Sequence, residues 1–459
     1  MLAWLALALL VASCSAFQQA ADYASRYDGV RVLRLPTGGQ AAALGALIDS
    51  YNLVRWDTRA SHVDVQVPAW AYGDFVAAVA SLAANATVGD EEMKIVVMHE
   101  DLGASIREES AGMAAYQQSD AGDSGLVGLV SESWFHSYHS YADHLQYLED
   151  LVATYPANAA IFTSGTSYQG KNITGINIYG AGGSGSAPAV VIHGTVHARE
   201  WIATMVTENF AYSLLANYTA GDEEVIGFLD KYDIYIIPNV NPDGFIYTQE
   251  EDRLWRKTRD PPPSGSSCYG VDINRNWPHA SWRQSSGAST NPCAEDYKGP
   301  SAGSTTEVKG LAAFLDQRAN STTGGKMYMD VHSYSQLFMS AYGWTCSQAT
   351  ANAAELDALT SGFAEALGDV YGTEYDSGPI CQTIYPVSGD SVDYAYDNSG
   401  ITYSFTPELR DTGRYGFVLP ANQILPTSIE TYTGKRYARW DMHRLMACSG
   451  LRYLLANMK

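Results

Sequence analysis

The alternation of apolar and polar residues changes character along the chain. Val63, Val65 and Val67 alternate with polar neighbours over His62–Val67, the period of a half-buried strand. Val30–Leu35 and Lys94–Met98 read as further strands, with helices over Gln40–Tyr51 and from Pro68 to about Ala84. A β-α-β-α-β order of this size predicts a small α+β sandwich of the ferredoxin-like kind over 17–100. Between Asp101 and Ser131 the period disappears among Ser, Gly, Ala, Asp and Glu, so 101–131 reads as a connecting segment. From Trp134 onward strands and helices alternate. Strands are predicted at Ile173–Tyr179, Ala189–His193, Asp233–Pro238, Lys326–His332 and Thr402–Thr406. Helices are predicted at His139–Tyr155, Trp201–Ala216, Thr306–Arg318, Ala351–Val370 and Ile429–Met458. Near-continuous apolar strands separated by helices predict one α/β domain over 132–459, a mixed, largely parallel sheet flanked by helices.

The apolar run Leu2–Ala12 is shorter than the roughly 20 residues a bilayer span needs, and small residues follow it. It reads as a signal peptide over 1–16, although Val11–Cys14 also fits a lipid-attachment box. With 46% apolar and 17% charged residues the chain is neither disordered nor a coiled coil. Fifty acids against 28 bases give a net charge of −22, which argues against nucleic acid and anionic membrane as partners. Cysteines 268, 293, 346, 381 and 448 follow the leader without a CxxC pair, which suggests two bridges and one thiol in an oxidising compartment. Sequons at Asn85, Asn172, Asn217 and Asn320 agree with secretion.

Four polar clusters fall directly after strands: His197-Ala-Arg-Glu200, Asp330-Val-His332, Pro238–Gly244 and Pro407-Glu408. Open α/β sheets bind ligands at the carboxyl ends of their strands, so four clusters on that edge predict one site. His197 and Glu200, three apart, can reach one ion, and His332 offers a second imidazole. Two His and one Glu with a fourth position open is a catalytic zinc set.

These residues sit in longer motifs: His197–Ile202, Asn241–Phe245, Arg253–Arg259, Gly270–Trp277, His332–Gln336 and Tyr403–Phe417. In this order they resemble the zinc metallocarboxypeptidases of the pancreatic A/B type, and 17–100 resembles that family's inhibitory activation domain. The resemblance implies a secreted zymogen that acts as a monomer on peptide C-termini after an activating protease has cut it. It implies one Zn2+ held by His197, Glu200 and His332, with Asp272 fixing the ring of His197. Glu408 matches the general base, and Arg256 the cation facing the developing oxyanion. Asn274, Arg275 and Tyr385 match the groups that hold the substrate carboxylate, and Arg199 and Tyr334 match outer substrate contacts. It further implies bridges Cys268–Cys293 and Cys346–Cys381.

The specificity pocket matches Met339, Gly343, Ile380, Ile384, Val387, Val392 and Thr406. Members that cut basic residues carry Asp where this chain has Val392, so Val392 implies apolar or aromatic C-terminal residues. Three departures stand out: Asp390 replaces the usual Gly, one residue is added within Asp397–Gly400, and Pro407 precedes Glu408. Turned inward, Asp390 would favour Lys or Arg. Two rival readings are a zinc hydrolase of acyl amino acids and a non-catalytic binding module on the same scaffold. The first lacks the activation domain and the full Arg-Leu-Trp-Arg and Asn-Arg-Asn sets, and the second typically loses a ligand or the base, whereas all are present in this chain. Arg107 is the only Lys or Arg between Lys94 and Lys171 and hence the expected tryptic activation site.

Overall fold

The computed structural model describes residues 23–84, 94–122, 130–432 and 450–459. The expected leader 1–16, the Asn85 sequon and Cys448 lie outside the described residues. The chain divides into two compact units.

The smaller unit contains β1 (Arg31–Pro36), α1 (Ala41–Ser50), β2 (Val54–Thr58), β3 (His62–Val67), α2 (Ala69–Ala84), β4 (Val96–His99) and α3 (Leu102–Gly122). Its four strands form an antiparallel sheet in the order β2-β3-β1-β4, a β-α-β-β-α-β sandwich. Leu33, Leu35, Ile48, Val63, Val65 and Phe75 form its core. The alternation scan misses β2 because Trp56 and Asp57 are both buried, where the pairing register shifts between Arg55 and Asp57.

The segment after Asp101, expected to be an irregular connection, is the helix α3. Leu102 and Ile106 are its fully buried apolar anchors, and its small and polar residues give no stripe for periodicity to detect. Two later segments, Gln249–Arg253 and Asp411–Pro420, belong to this unit. Arg253, fully buried, donates to both carboxylate oxygens of Glu109 on α3, at 2.5 and 3.0 Å. Tyr27 donates to Asp252, and His99 Nε2 lies 2.8 Å from the Tyr415 carbonyl oxygen.

The larger unit follows with α4 (Tyr141–Thr154), β5 (Ala159–Thr166), β6 (Asn172–Ile178), β7 (Ala189–Gly194), α5 (Trp201–Thr219), α6 (Glu223–Lys231), β8 (Asp233–Ile237) and α7 (Pro242–Glu250). It continues with α8 (Thr306–Ala319), β9 (Gly325–Ser333), β10 (Leu337–Ser340), α9 (Ala353–Tyr371), β11 (Asp376–Pro379), α10 (Ile380–Thr383), α11 (Ser391–Asp397) and β12 (Tyr403–Leu409). The single long helix expected at the C-terminus is, in the described residues, two: α12 (Ile424–Tyr432) and α13 (Gly450–Asn457). Residues 433–449 of that expectation lie outside the described residues.

The sheet order is β11-β10-β12-β9-β7-β8-β6-β5. Four of its seven ladders are parallel, so the sheet is mixed as expected. The centre, β12-β9-β7-β8, is wholly parallel. Every residue of β7 and β8 is buried, as strands covered by helices on both faces require. From β7 the chain passes to β8 on one side, while β9 lies on the other. That is a topological switch point, and a crevice opens there at the carboxyl ends of the strands.

Candidate active site

Beyond Gly194, the end of β7, the chain turns through Thr195 at φ +57°, a left-handed conformation unusual for a branched residue. The Thr195 hydroxyl lies 2.6 Å from that of Thr204 on α5 and helps to hold the turn. His197, Arg199 and Glu200 follow in this turn, with Glu200 at the N-cap position of α5. Ala198 N–H donates to the Arg256 carbonyl at 3.0 Å. Asn241 adds a brace, its Nδ2 donating to the carbonyls of Val196 and Lys257 at 3.1 Å each. Sequence reading marked Asn241 only as part of a motif and missed this role. Its place directly after a buried strand was the available signal.

His197, Glu200 and His332 converge and are almost fully buried. His197 Nδ1 is 2.7 Å from Glu200 Oε1, and His332 Nδ1 is 3.1 Å from both Glu200 Oε2 and His197 Nδ1. Two imidazole nitrogens and a carboxylate converging this closely form a donor set that could hold one metal ion. Nitrogens bound at 2.0–2.1 Å to one tetrahedral ion stand about 3.3 Å apart, so the observed spacing fits zinc.

The outward nitrogens are also held. His197 Nε2 lies 3.2 Å from Asp272 Oδ1, the partner the sequence named. His332 Nε2 lies 3.1 Å from Asp330 Oδ2, a partner it did not name. Asp330 and His332 are two apart on β9 and so share a face, which was the available signal. Ser391 Oγ donates to the same Asp330 oxygen at 2.6 Å.

The electrostatics follow from crowding acids and bases out of water. Burial pushes the Glu200 carboxyl up, but His197 and His332 outweigh it and hold the group below its ordinary value. Burial likewise raises Asp272, and Arg256 and His197 bring it well below the carboxylate range. Burial lowers Arg256, and Asp272 with Glu200 more than restores it, so its charge is secure. Arg256 donates Nε–H and Nη2–H to Asp272 Oδ2 at 3.2 and 2.9 Å, and its Nη1 stands 4.0 Å from Glu200 Oε1.

Arg275 differs from the other buried arginines. Only 5% exposed, it donates Nη1–H to the Asn274 carbonyl, while its Nε has no hydrogen-bond partner among the described residues. No acid there forms an ion pair with it. Asn274 is engaged on both sides, its Nδ2 3.2 Å from His332 Nε2 and its Oδ1 accepting from Ser391 N–H at 2.9 Å. Arg199 pairs with Glu295 at 3.1 Å, and Tyr334 is close enough to add to its field. Tyr385 is half-buried within the field of Arg256.

Glu408, half-buried near the end of β12, is the direct register partner of His332 on β9. The preceding Pro407 has no N–H to give to that ladder. Its place is a gap in the β12–β9 pairing, where the Thr406 hydroxyl donates to the Asp330 carbonyl at 2.8 Å instead. Val392 is buried on α11, and Met339 and Thr406 face each other across β10 and β12. The disulfides are Cys268–Cys293 and Cys346–Cys381, with Cα atoms 5.1 Å apart in each.

A buried His-Glu-His set at the carboxyl ends of parallel strands, beside a secured arginine and a carboxylate on the neighbouring strand, defines a metal-dependent hydrolase. The comparisons make this specific. The zinc carboxypeptidase family profile (peptidase M14) matches residues 144–434, and the chain belongs to that family, as a zinc-dependent peptide hydrolase. It is 42% identical over 434 residues to a probable metallocarboxypeptidase A of Arthroderma benhamiae, covering 94% of this chain and 96% of that one. It is 41% identical over 413 residues to a metallocarboxypeptidase A-like protein of Trichophyton verrucosum, covering 89% and 92%. Among solved structures, thrombin activatable fibrinolysis inhibitor superposes with a TM-score of 0.73 at 28% identity, covering 87% of this chain and 95% of that one. The family's metal is zinc, one ion per chain, and the three convergent ligands fit it.

Proposed function

We propose that this protein is a secreted zinc carboxypeptidase precursor whose active form removes apolar or aromatic residues, one at a time, from the C-termini of peptides and proteins. The observation that carries the reading is Arg275, a buried guanidinium with no acid partner among the described residues and a donor to spare. A free C-terminal carboxylate is the planar anion such a group recognises. Asn274 and Tyr385 complete the carboxylate site, and Arg199 and Tyr334 contact residues further along the substrate.

Zinc held by His197, Glu200 and His332 would supply an acidified water and polarise the scissile carbonyl. Glu408 would serve as the general base toward the attacking water and as the proton donor to the departing amine. Arg256, held by Asp272, faces the oxygen on which negative charge develops. Val392 in the pocket wall favours apolar side chains, because an ammonium buried against aliphatic groups costs several kcal/mol.

Two disulfides and the apolar leader support secretion. The 17–100 region, a four-stranded antiparallel sheet with two helices, is proposed as the activation domain. A protease then releases a monomeric enzyme of residues 132–459. Hydrolysis of a blocked dipeptide by the zinc-loaded protein, its loss with chelator and its return with zinc test the reading. Cleavage by a chelated enzyme or by His332→Ala at the wild-type rate overturns it.

A further inference from the structure

One serine reaches two parts of the candidate site that lie on different elements. Ser391, the first residue of α11, is fully buried. Its Oγ donates to Asp330 Oδ2 on β9 at 2.6 Å, and its N–H donates to Asn274 Oδ1 at 2.9 Å. Asp330 Oδ2 lies 3.1 Å from Nε2 of the metal ligand His332, and that nitrogen lies 3.2 Å from Asn274 Nδ2. The four residues close a ring, and Ser391 spans it with its hydroxyl and its backbone.

The helix that carries this hydroxyl does not need it. Asp390 caps α11, its Oδ1 accepting the Asp393 N–H at 2.9 Å, so the Ser391 side chain is available to another partner. Alanine in this first helical position would serve α11 at least as well. A buried hydroxyl aimed instead at a carboxylate makes a charge-assisted bond, the short and strong kind, and the 2.6 Å separation agrees with that.

Asp330 depends on that bond. It is fully buried, and its Oδ1 has no hydrogen-bond partner among the described residues: His193 Nδ1 stands 3.3 Å away without the alignment of a hydrogen bond. The contacts with Ser391 and His332 both fall on Oδ2. Ser391 thus sets the direction of that oxygen, and the oxygen sets the orientation of the His332 ring. Asn274 is fixed separately. Its own N–H donates to Asp272 Oδ1 at 2.8 Å, and its Oδ1 takes the Ser391 N–H, which any residue but proline supplies. Tyr328 also faces the Ser391 hydroxyl, but His193 Nε2 lies 2.5 Å from the Tyr328 oxygen, so loss of the serine side chain strands no phenol.

We propose that Ser391 is a positioning residue: through Asp330 Oδ2 it aims the imidazole of His332 at the metal, and through its N–H it keeps Asn274 in register with that imidazole. The first half rests on the convergent His197, Glu200 and His332 set. The second half rests on the carboxypeptidase reading above, in which Asn274 helps to hold the substrate carboxylate. Ser391 acts on each through a neighbour. Its hydroxyl bears on zinc affinity and its backbone on substrate binding, so a change confined to the side chain separates the two.

The test is Ser391→Ala in the full chain, with folding checked by circular dichroism. Zinc affinity is read by chelator competition, and kcat and KM on a blocked dipeptide after limited proteolysis, with excess zinc. Ser391→Ala should bind zinc about tenfold more weakly. Its KM should stay within about twofold of wild type, because the N–H that holds Asn274 remains. Added to Asp330→Ala, the same change should cost no more than about twofold further in zinc affinity, since the serine acts through the aspartate. Should the double variant not fold, the split between zinc affinity and KM decides alone. Unchanged zinc affinity in folded Ser391→Ala overturns the proposal. So does a KM that rises as far as zinc affinity falls, or a full second loss in the double variant. A wild type that binds one zinc but cleaves no dipeptide overturns the carboxypeptidase reading, and the zinc measurements still decide the role of the Ser391 hydroxyl.

Discussion

Replacing Glu307 by Gln should make the protein's stability less sensitive to alkaline pH. Glu307 lies in the first turn of α8 with no exposed surface. Its Oε1 accepts the Tyr168 N–H at 2.8 Å, and its Oε2 has no hydrogen-bond partner among the described residues. Burial pushes this carboxyl from 4.5 up to about 7, and Asp260 and Asp243 add to the rise. An acid with a raised folded-state value binds its proton more tightly folded than unfolded. Its contribution to stability is therefore intact below pH 4.5 and is lost as pH rises through 7. The difference between the two values corresponds to about 3 kcal/mol at full ionisation.

Gln keeps the bond to Tyr168 but leaves its amide N–H groups without an acceptor, a cost of about 1–3 kcal/mol at every pH. That constant cancels when the same substitution is compared at two pH values. Between pH 5 and pH 8, Glu307→Gln should gain about 2–3 kcal/mol relative to wild type. Guanidinium unfolding of both proteins at each pH, with excess zinc, measures this. An equal stability difference at pH 5 and pH 8 would refute the argument.

Three further outcomes are expected. Glu408→Gln should keep its zinc by elemental analysis and lose about 10²–10⁴ in kcat; activity within tenfold of wild type would remove Glu408 from the chemistry. Asp330→Asn weakens the hold on His332 and should cost about 10–100-fold in zinc affinity by chelator competition; unchanged affinity would show that the 3.1 Å contact is incidental. Arg107 lies on α3, 2.7 Å from Asp28, so trypsin should cut there only slowly, generating Glu108 as the new N-terminus together with activity. Arg107→Gln should block that activation; normal activation of the variant by trypsin would place the cut elsewhere.

The candidate site was legible because its residues sit on strand ends. His332 and Glu408 close β9 and β12, and in this fold a strand end faces the crevice. Two of the elements missed, β10 and β11, had no pattern to read. Leu337-Phe-Met-Ser340 is four residues buried on both faces, with no alternation to distinguish strand from helix. Asp376-Ser-Gly-Pro379 has no large apolar residue, yet it extends the sheet as an edge strand paired with β10. Asp330 was seen in its cluster without a partner, since only the fold brings its oxygens to the outward nitrogen of His332.

The smaller unit is assembled from parts of the chain that are made at very different times. Its sheet and core are complete once His99 has left the ribosome, but Arg253 and Asp411–Pro420, which share its hydrogen bonds, come much later. At 5–20 residues per second the wait for Pro420 is roughly 15–60 s. Throughout that time the nascent sandwich carries Glu109 without Arg253, and Trp56 without the Phe417 ring that lies 5.2 Å from it in the finished fold. The small unit can thus begin as an independent nucleus but is finished only when nearly the whole chain has been synthesised. A message truncated anywhere before residue 411 yields a sandwich with an open, sticky flank, a natural target for chaperones and quality control.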